Sequence, residues 1–407
     1  MHISVVMPLF NKQDFVLQSV NSALQQKGIE LELLIIDDGS TDRSLEIVEK
    51  IGDPRIRILR QKNLGPSAAR NSGLKEAKHS LIAFLDADDY WAPKKLISQM
   101  SYLQTHPETA AVYCQALRVD INGNLIFRKP FGSGIRDENF LLNNLLTRPK
   151  TPALGSTLMI RTEILRKIDG FDVEITNGED MDIQLRLAQA GFTQHMLSRS
   201  LAYIRFIHSS QSHSFDLDRW MNSYKSHLWI YKKLLKNDLP EILIDKANAK
   251  ILNVHLRQFL YYLLIGKKEA AYELRTHIMN DANKLDKNSR DFYTQIEFFT
   301  PLIYQKDGWP ELERFIEIVL TERGQIIQNS KNPIHDELTR IKAKVWCAGQ
   351  GNKKIRRQTW VFLFNACRRN PALIHNLNFW KQAARLLIGN LVIRHNIKWH
   401  EASMKYL

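Results

Sequence analysis

Residues 31–42 read LELLIIDDGSTD, a short run rich in Leu and Ile that leads into two aspartates, a glycine and a Ser-Thr pair. A continuous apolar run of this length is typical of a strand that is buried on both faces, because a half-exposed strand would alternate apolar and polar residues. Ser40 and Thr41 are residue types that begin helices. The stretch therefore predicts a buried strand that ends at two acids, followed by a helix.

The same unit of strand and helix repeats through the first hundred residues. Pro66 and Pro93 each stand at the start of a helical pattern, where proline is well tolerated. Regular alternation of strands and helices predicts a parallel sheet with helices on both faces. The predicted strands are 3–7, 31–36, 56–59 and 81–85, and the predicted helices are 12–26, 42–51, 66–77 and 93–105.

The pattern changes after Ala110, where AAVYCQALRVDINGNLIF predicts two strands around the turn Asn122-Gly123. Helices are predicted at 163–168 and 179–190, and a strand at 201–207. From about residue 214 the periodicity is helical, including 219–236, 241–264, 267–284 and 309–323. The expected architecture is an α/β domain with a mostly parallel sheet over 1–213, a helical region over 214–337, and a basic helical region over 338–407.

Composition restricts the class of protein. With 407 residues, the chain is long enough for two or three domains at roughly 150 residues each. A hydrophobic content of 44% excludes wholesale disorder. Three cysteines, far apart and odd in number, exclude a disulfide scaffold and a CxxC zinc module. The N-terminus enters a strand pattern directly and no apolar run approaches the length of a membrane span, so we expect neither a signal peptide nor a spanning helix, and a cytoplasmic location.

The positive charge is concentrated at one end of the chain. The net charge is +14, and residues 338–407 hold 14 Lys and Arg against the single acid Glu401. This segment predicts a surface that meets an anionic partner, such as the inner face of the plasma membrane. The alternative is a solvated helical face that serves solubility. No nucleic-acid partner is expected, because no recognisable nucleic-acid-binding module accompanies the basic residues.

Five aspartates follow the second and fourth predicted strands: Asp37, Asp38, Asp86, Asp88 and Asp89. Ligands of open α/β sheets lie beyond the carboxyl ends of the strands, so these acids are candidates for a site. Their mutual repulsion favours a divalent cation with oxygen ligands as partner. The alternative is that such acids only cap the following helices. Neither GxGxxG after the first strand nor GxxxxGK[ST] is present, which excludes a dinucleotide or P-loop site at the level of motifs.

Five motifs, in order and at their observed spacings, resemble the inverting family-2 glycosyltransferases of the GT-A fold. The resemblance covers about residues 1–213, and the helical remainder matches no family that we can name. The motifs are VVMPLFNK (5–12), LLIIDDGSTD (33–42), NLGPSAARNSGL (63–74), IAFLDADDYW (82–91) and GEDMDIQLRLAQAGF (178–192).

The resemblance implies roles for five residues at a nucleotide site. Asp38 is similar to the acid that accepts the N3–H of a uracil base. Pro8 and Phe10 are similar to residues that line the base pocket. Arg70 is similar to a residue that faces the nucleotide or the sugar, and Asp86 to one that lies near the ribose.

The resemblance also implies a metal and a catalytic base. Asp86 and Asp88 form a DxD pair, with Asp88 as the direct ligand of Mn²⁺ or Mg²⁺, and His208 lies where related enzymes have a histidine near the metal or the pyrophosphate. On an extended segment, two acids two residues apart point to the same side, so they can share one metal. Asp180 is similar to the general base, and its place at a helix start predicts that the helix dipole favours its ionised form.

The implied activity is transfer of a sugar from a nucleotide-sugar donor, a UDP-sugar by the Asp38 analogy, to a hydroxyl of a glycan or lipid-linked acceptor. One alternative is an inactive nucleotide-sugar-binding platform whose basic region binds membrane or nucleic acid. Another, a sugar nucleotidyltransferase, requires a glycine-rich loop with a lysine after the first strand, where this chain has PLFNK (8–12). Intact acids at the motif positions favour the enzyme.

Overall fold

A computed structural model describes residues 2–127, 129–147, 155–206 and 217–264, together with 269–270 and 273–274. The chain divides into two compact units, 1–247 and 248–407. The site residues that the structure describes all lie in the first unit.

Strands and helices alternate through the first unit, as the apolar pattern predicts. The strands are β1 (His2–Leu9), β2 (Glu30–Asp37), β3 (Ile56–Arg60), β4 (Leu81–Phe84), β5 (Tyr90–Trp91), β6 (Thr109–Val119), β7 (Met159–Arg161) and β8 (Thr193–Arg205). The helices are α1 (Val16–Leu24), α2 (Ser44–Glu49), α3 (Pro66–Glu76), α4 (Lys95–Thr105), α5 (Leu142–Thr147), α6 (Thr162–Lys167), α7 (Glu179–Gln189), α8 (Leu217–Leu234) and α9 (Glu241–Leu264). Short 3₁₀ turns cover Asp137–Phe140 and Gly155–Thr157.

The described strands form one sheet in the order β3-β2-β1-β4-β7-β6-β8-β5. The half β3-β2-β1-β4 is parallel throughout, which confirms the expectation for the first hundred residues. In the other half, β7 is antiparallel to both β4 and β6, β5 is antiparallel to β8, and β6 is parallel to β8. The sheet is therefore mixed. Because β7 reverses direction between its neighbours, β4 and β6 run the same way, and the carboxyl ends of β1, β2, β4 and β6 meet at one edge.

Both faces of the parallel half are buried. On β1, Val5 and Met7 face one core, which includes residues of α1 and α4, and Val6 faces a second core, which includes residues of α3 and α7. Gly73 of α3 allows an especially close approach, since a Cβ atom there would lie 2.4 Å from Cγ1 of Val6. The helix that carries Arg70 therefore lies directly on β1.

The predicted hairpin is right about its turn and wrong about its second strand. The backbone N–H of Gly123 donates to the backbone carbonyl oxygen of Asp120 at 3.1 Å and closes the turn. Among its described residues, the segment after the turn pairs with β6 at two isolated bridges, Val119 with Leu125 and Ala116 with Phe131. β6 pairs instead with β8, a long-range partner that local sequence could not reveal.

Helices α8 and α9 confirm the two helical patterns that begin at 219 and 241. The segment 309–323, the basic segment 338–407 and nearly all of 267–284 lie outside the described residues. Among the helices that are described, none combines the length and the apolar character that a membrane crossing needs.

Candidate active site

Aspartates follow β2 and β4 at the same edge of the sheet, with β1 between the two strands. The register pairs Leu9 with Asp37, so β1 and β2 end level, and it pairs Val6 with Phe84, so β4 ends beside β1 three residues before the end of β1. The expectation that these aspartates share one edge is therefore confirmed. The structure does not confirm that they need a shared cation, because each of these carboxylates already has a hydrogen-bond or ion-pair partner within the chain.

Asp38 is 3% exposed and is held by three nitrogen donors. Its Oδ1 accepts hydrogen bonds from Gln61 Nε2 at 2.7 Å and from the Leu64 backbone N–H at 2.9 Å. Its Oδ2 accepts from the Gly65 backbone N–H at 2.8 Å. A carboxylate has about four acceptor positions, so one remains for a ligand. The proposed contact with a uracil N3–H stays a prediction.

Pro8 lies near the end of β1, the strand between the two groups of acids, and Phe10 directly follows this strand. Pro8 is partly buried, and Phe10 exposes 40% of its surface, which is a large fraction for an aromatic side chain. An exposed ring at this edge offers a flat apolar surface to a ligand. Their role in a base pocket stays a prediction.

Arg70 is buried and bridges two acids from different parts of the chain. Its Nη2 lies 2.7 Å from Asp86 Oδ1, and its Nη1 lies 3.1 Å from Glu179 Oε1. Burial disfavours its charge, but the carboxylates of Asp86, Glu179 and Asp180 outweigh this, so the pKa of Arg70 is raised above its ordinary value. The guanidinium thus faces acids, whereas the resemblance implies a residue that faces the nucleotide or sugar.

Asp86 and Asp88 do not share one environment in this structure. Asp88 Oδ2 lies 2.7 Å from Lys12 Nζ, whereas Asp86 pairs with Arg70. The backbone N–H of Asp89 donates to the backbone carbonyl oxygen of Asp86 at 3.0 Å, which closes a turn. The segment is therefore not extended, and the alternation of sides that applies to strands does not apply here. Lys12 had no assigned role in the sequence, although it stands in the first motif.

Asp89 is buried behind this turn and shapes it. Its Oδ2 accepts from Ser156 Oγ at 2.6 Å, and its Oδ1 accepts from the Arg205 backbone N–H at 2.9 Å. Burial, then the charges of Asp88 and Asp86, hold the pKa of Asp89 well above its ordinary value. Arg205 also donates from Nε to the backbone carbonyl oxygen of Asp88 at 2.9 Å. Neither Ser156 nor Arg205 carried a signal in the sequence, because each reaches the turn only through the fold.

Asp180 lies in the first turn of α7, close to Arg70 and Gly155. Burial, then the charges of Glu179 and Asp86, raise the pKa of Asp180 to about 8, against the opposing influence of Arg70 and of the Gly155 backbone N–H. The expectation that the helix start favours the ionised form is therefore wrong for the protein without ligand. Desolvation and two neighbouring acids outweigh the helix dipole.

Gly155 closes the pocket around the Asp180 carboxylate. A Cβ atom at this position would lie 3.1 Å from Asp180 Oδ1 and 3.6 Å from Arg70 Nη2. A larger residue at this position would require the Asp180 carboxylate to move by a few tenths of an ångström. Gly155 is a further site residue that the sequence did not indicate, since it stands outside the five motifs.

Helix α8 contacts the loop that leads into α7. Lys233 Nζ lies 2.6 Å from Asp172 Oδ2, and Trp229 Nε1 donates to the same oxygen at 3.1 Å. The backbone N–H of Thr176 donates to Ser226 Oγ at 3.3 Å. These contacts fix the loop immediately before Glu179 and Asp180, so the first unit includes a helix that supports the site.

The described residues include no group of three or more His, Cys, Asp and Glu side chains that could hold a metal ion. His208 lies outside the described residues, so its place relative to Asp88 stays a prediction.

The comparisons with known proteins agree with the fold and with the motifs. The family model described as "Glycosyl transferase family 2" matches residues 4–169. A chondroitin synthase of Pasteurella multocida is 29% identical over 218 residues, which are 53% of this chain and 22% of that protein. An Escherichia coli UDP-Glc:alpha-D-GlcNAc-diphosphoundecaprenol beta-1,3-glucosyltransferase is 39% identical over 104 residues, which are 25% of this chain and 41% of that protein. This chain thus spans less than half the length of these curated relatives.

Among solved structures, S. aureus TarS matches with a TM-score of 0.54 at 20% identity, over 80% of this chain and 55% of that chain. TarS 1–349 in complex with UDP-GlcNAc matches with a TM-score of 0.52 at 20% identity, over 84% of this chain and 87% of that chain. At these identities the likeness shows a shared GT-A fold. The family match includes the motifs of β1, β2, α3 and β4 that build the acidic sheet edge. The segment of this chain from residue 4 to residue 169 thus matches the model of glycosyltransferase family 2.

Proposed function

We propose that the protein is an inverting glycosyltransferase that moves a sugar from a UDP-sugar to a hydroxyl of a glycan or lipid-linked acceptor, in the synthesis of a bacterial surface polysaccharide or lipopolysaccharide. The observation that carries this proposal is the meeting of Asp86 and Asp180 around Arg70, at the sheet edge where Asp38 also lies. The relationship to polysaccharide synthases and the UDP-GlcNAc complex of TarS support the choice of donor.

In this proposal, the end of β1 and the loop after β2 bind the base. The exposed ring of Phe10 and the ring of Pro8 pack against the uracil, and the remaining acceptor position of Asp38 takes its N3–H. The hydrogen bonds from Leu64 and Gly65 fix the Asp38 carboxylate before the ligand arrives. Asp86, which keeps 35% of its side chain exposed, lies toward the ribose.

Asp86 and Asp88 fit a divalent ion that arrives with the diphosphate. Their ion pairs use Asp86 Oδ1 and Asp88 Oδ2, so each carboxylate keeps a second oxygen as a ligand. Mg²⁺ is commonly held by one or two carboxylates plus substrate phosphates and water, so a full protein cage is not required. His208 is the proposed third ligand. When bound, the ion acts as a Lewis acid on the leaving diphosphate.

Asp180 is the proposed general base. As the acceptor oxygen forms its bond to the anomeric carbon and the bond from that carbon to the diphosphate breaks, the acceptor proton passes to the Asp180 carboxylate. UDP leaves, and attack from the opposite face inverts the anomeric centre. The N–H of Gly155 orients the carboxylate. A positive charge added beside Asp86 would favour the ionised form of Asp180, which is the form that accepts a proton.

The test is a panel of UDP-sugars with Mn²⁺, with Mg²⁺ and with EDTA, read by thermal shift and by release of UDP. A donor at 100 times its Kd adds about 2.7 kcal/mol of apparent stability, which a thermal shift detects. We expect at least one UDP-sugar to stabilise the protein and to release UDP when a divalent ion is present. Asp88→Asn should lose the metal-dependent thermal shift and the metal-dependent release of UDP. Asp14→Asn, which changes an exposed acid before α1, should keep both. Binding without turnover by the wild type would favour the inactive platform.

The segment 338–407 supports a proposal about location, since it carries a net charge of +13. It would hold the protein on an anionic membrane surface, at roughly 1 kcal/mol per nearby Lys or Arg. Co-sedimentation should require anionic lipid, weaken with salt and fail after truncation near residue 337. Equal binding to neutral and anionic vesicles, or none to either, would remove this role. The division of the chain into regions 1–213, 214–337 and 338–407 is likewise a proposal.

A further inference from the structure

Lys12 and Asp88 form an ion pair at the centre of the acidic edge. The two atoms Nζ and Oδ2 are 2.7 Å apart, and the side chains are 27% and 16% exposed, respectively. In the described part of the chain, no other basic side chain forms an ion pair with Asp88. The acid that is the proposed metal ligand therefore already has a cation beside it, supplied by the protein itself.

The backbone that carries Lys12 is held firmly. Its N–H donates to Ser44 Oγ at 2.7 Å, and the N–H of the next residue, Gln13, donates to Asp42 Oδ2 at 3.1 Å. The preceding Asn11 has a φ of +49°, and its side-chain oxygen accepts from the Thr41 N–H at 2.8 Å. The loop after β1 is thus fixed to the loop after β2 and to the start of α2, and the four-carbon side chain of Lys12 supplies the freedom that a change of partner requires.

Lys12 differs from the other basic residue of the site in this freedom. Arg70 is 4% exposed at its side chain and is paired with two carboxylates, so it cannot leave its place without breaking both pairs. Lys12 has one carboxylate partner, a flexible stem and a compact ammonium with three donors, a combination suited to binding phosphate as a point charge.

The charges define what happens when a donor binds. A divalent ion interacts more strongly with Asp88 than a single ammonium does, because the Coulomb energy scales with the charge. The displaced ammonium would stay tethered within a side-chain length of Asp88, where a phosphate oxygen of the donor would be available as its new partner.

We propose that Lys12 is a further donor-binding residue, which neutralises Asp88 in the free protein and moves to the diphosphate when a divalent ion binds Asp88. This rests on the proposed function. Lys12 then competes with a metal ion that binds Asp88 without diphosphate, and it assists a metal ion that binds together with diphosphate. Binding of metal and of nucleoside diphosphate is then positively coupled, and by linkage each ligand strengthens the other by the same factor.

The experiment measures two affinities by titration calorimetry on the full chain: Mn²⁺ alone, and UDP at saturating Mn²⁺. Saturation removes any difference in metal occupancy from the second measurement. We expect Lys12→Met to bind Mn²⁺ alone about 2- to 5-fold more tightly, the range that a partly exposed ion pair represents. We expect it to bind UDP about tenfold or more weakly, as for loss of a hydrogen bond to a charged group.

Two further variants control the result. Lys12→Arg keeps the positive charge and should bind both probes nearly as the wild type does. Lys50→Met breaks an exposed ion pair with Glu46 on α2 and should change neither affinity. Circular dichroism verifies that each variant is folded.

The possible failures are distinguishable. If Lys12→Met binds Mn²⁺ no more tightly than the wild type, or binds UDP with Mn²⁺ equally well, the role of Lys12 is wrong while the proposed function stands. If the wild type itself binds no UDP in the presence of Mn²⁺, the donor assignment fails, and the role of Lys12 fails with it.

Discussion

Asp38 and Asp180 are aspartates of the same proposed site, but the protein surrounds them in opposite ways. Asp38 accepts hydrogen bonds from three nitrogen donors, two of them backbone N–H groups of Leu64 and Gly65. Asp180 lies among other carboxylates, and its pKa is raised to about 8, first by burial and then by Glu179 and Asp86.

The difference separates two tasks that acids perform at a sheet edge. Fixed N–H dipoles hold a carboxylate in one position, which suits recognition of a hydrogen-bond donor on a base. A group of carboxylates around one guanidinium is short of positive charge, which suits the binding of cations and the exchange of a proton. We therefore expect substitutions at Asp38 and at Asp180 to act on different properties.

The largest expected effect is on catalysis. Asp180→Asn keeps the shape of the side chain and removes the proton acceptor, so kcat should fall by at least about 10², as for loss of a general base. UDP affinity should persist. The matched control is Glu163→Gln, an exposed first-turn acid of α6, which should keep the rate. Steady-state kinetics and calorimetry measure both quantities, and an Asp180→Asn protein with full rate and weaker donor binding would make Asp180 a binding residue.

The second effect is on stability, through the buried guanidinium. Arg70→Met leaves Asp86 and Glu179 without their cation, and loss of one partner of a buried ion pair costs about 3–5 kcal/mol. Because Asp86 is 35% exposed, water relieves part of this, and we expect about 2–4 kcal/mol in urea unfolding. Arg60→Met, which breaks an exposed pair with Glu49, should cost less than about 1 kcal/mol. Equal losses in the two variants would contradict the bridging role of Arg70.

The third effect tests the nitrogen donors around Asp38. Asp38→Asn places an amide NH₂ against groups that are themselves donors, and a buried unsatisfied polar group costs about 1–3 kcal/mol. The free energy of unfolding should fall accordingly in urea titrations, whereas Asp180→Asn should cause no such loss. An Asp38→Asn protein as stable as the wild type would mean that the loop from Gln61 to Gly65 holds its position without this carboxylate.

The fourth effect is gradual, because it is spread over several pH units: a pH dependence that belongs to Asp180. Its pKa is about 8 in the folded protein against an ordinary 3.8, so between these values the folded state keeps a proton that the unfolded state has released. Stability due to this group is full below about pH 4 and is lost as the pH rises through about 8, with a slope of at most about 1.4 kcal/mol per unit. In urea titrations with EDTA and no donor, the free energy of unfolding of Asp180→Asn should rise relative to that of the wild type from about pH 4 to about pH 8. A constant difference between the two would contradict the raised pKa.

Much of the first half of the fold could be predicted from sequence because its signals are local. Apolar runs such as LELLII (31–36) and helix starts such as Pro66 predict the parallel strands and their helices, and the acids at the strand ends follow from the same reading. The pairing of β6 with β8 could not be predicted, since the local turn at Asn122-Gly123 indicated a nearer partner. A long-range strand pair leaves no periodic trace in either strand.

The sequence by itself determined which acids are candidates for this edge. The order of the motifs assigns Asp38, Asp86, Asp88 and Asp180 to one predicted site, and each stands at a strand or helix end that the local pattern defines. Only the tertiary structure decided the electrostatic state of these acids. Arg70, Lys12, Ser156 and Gly155 are distant in sequence from their partners and meet them only when strands and helices pack. Desolvation and the distance between charges set a pKa or an ion pair, and both are properties of packing in three dimensions.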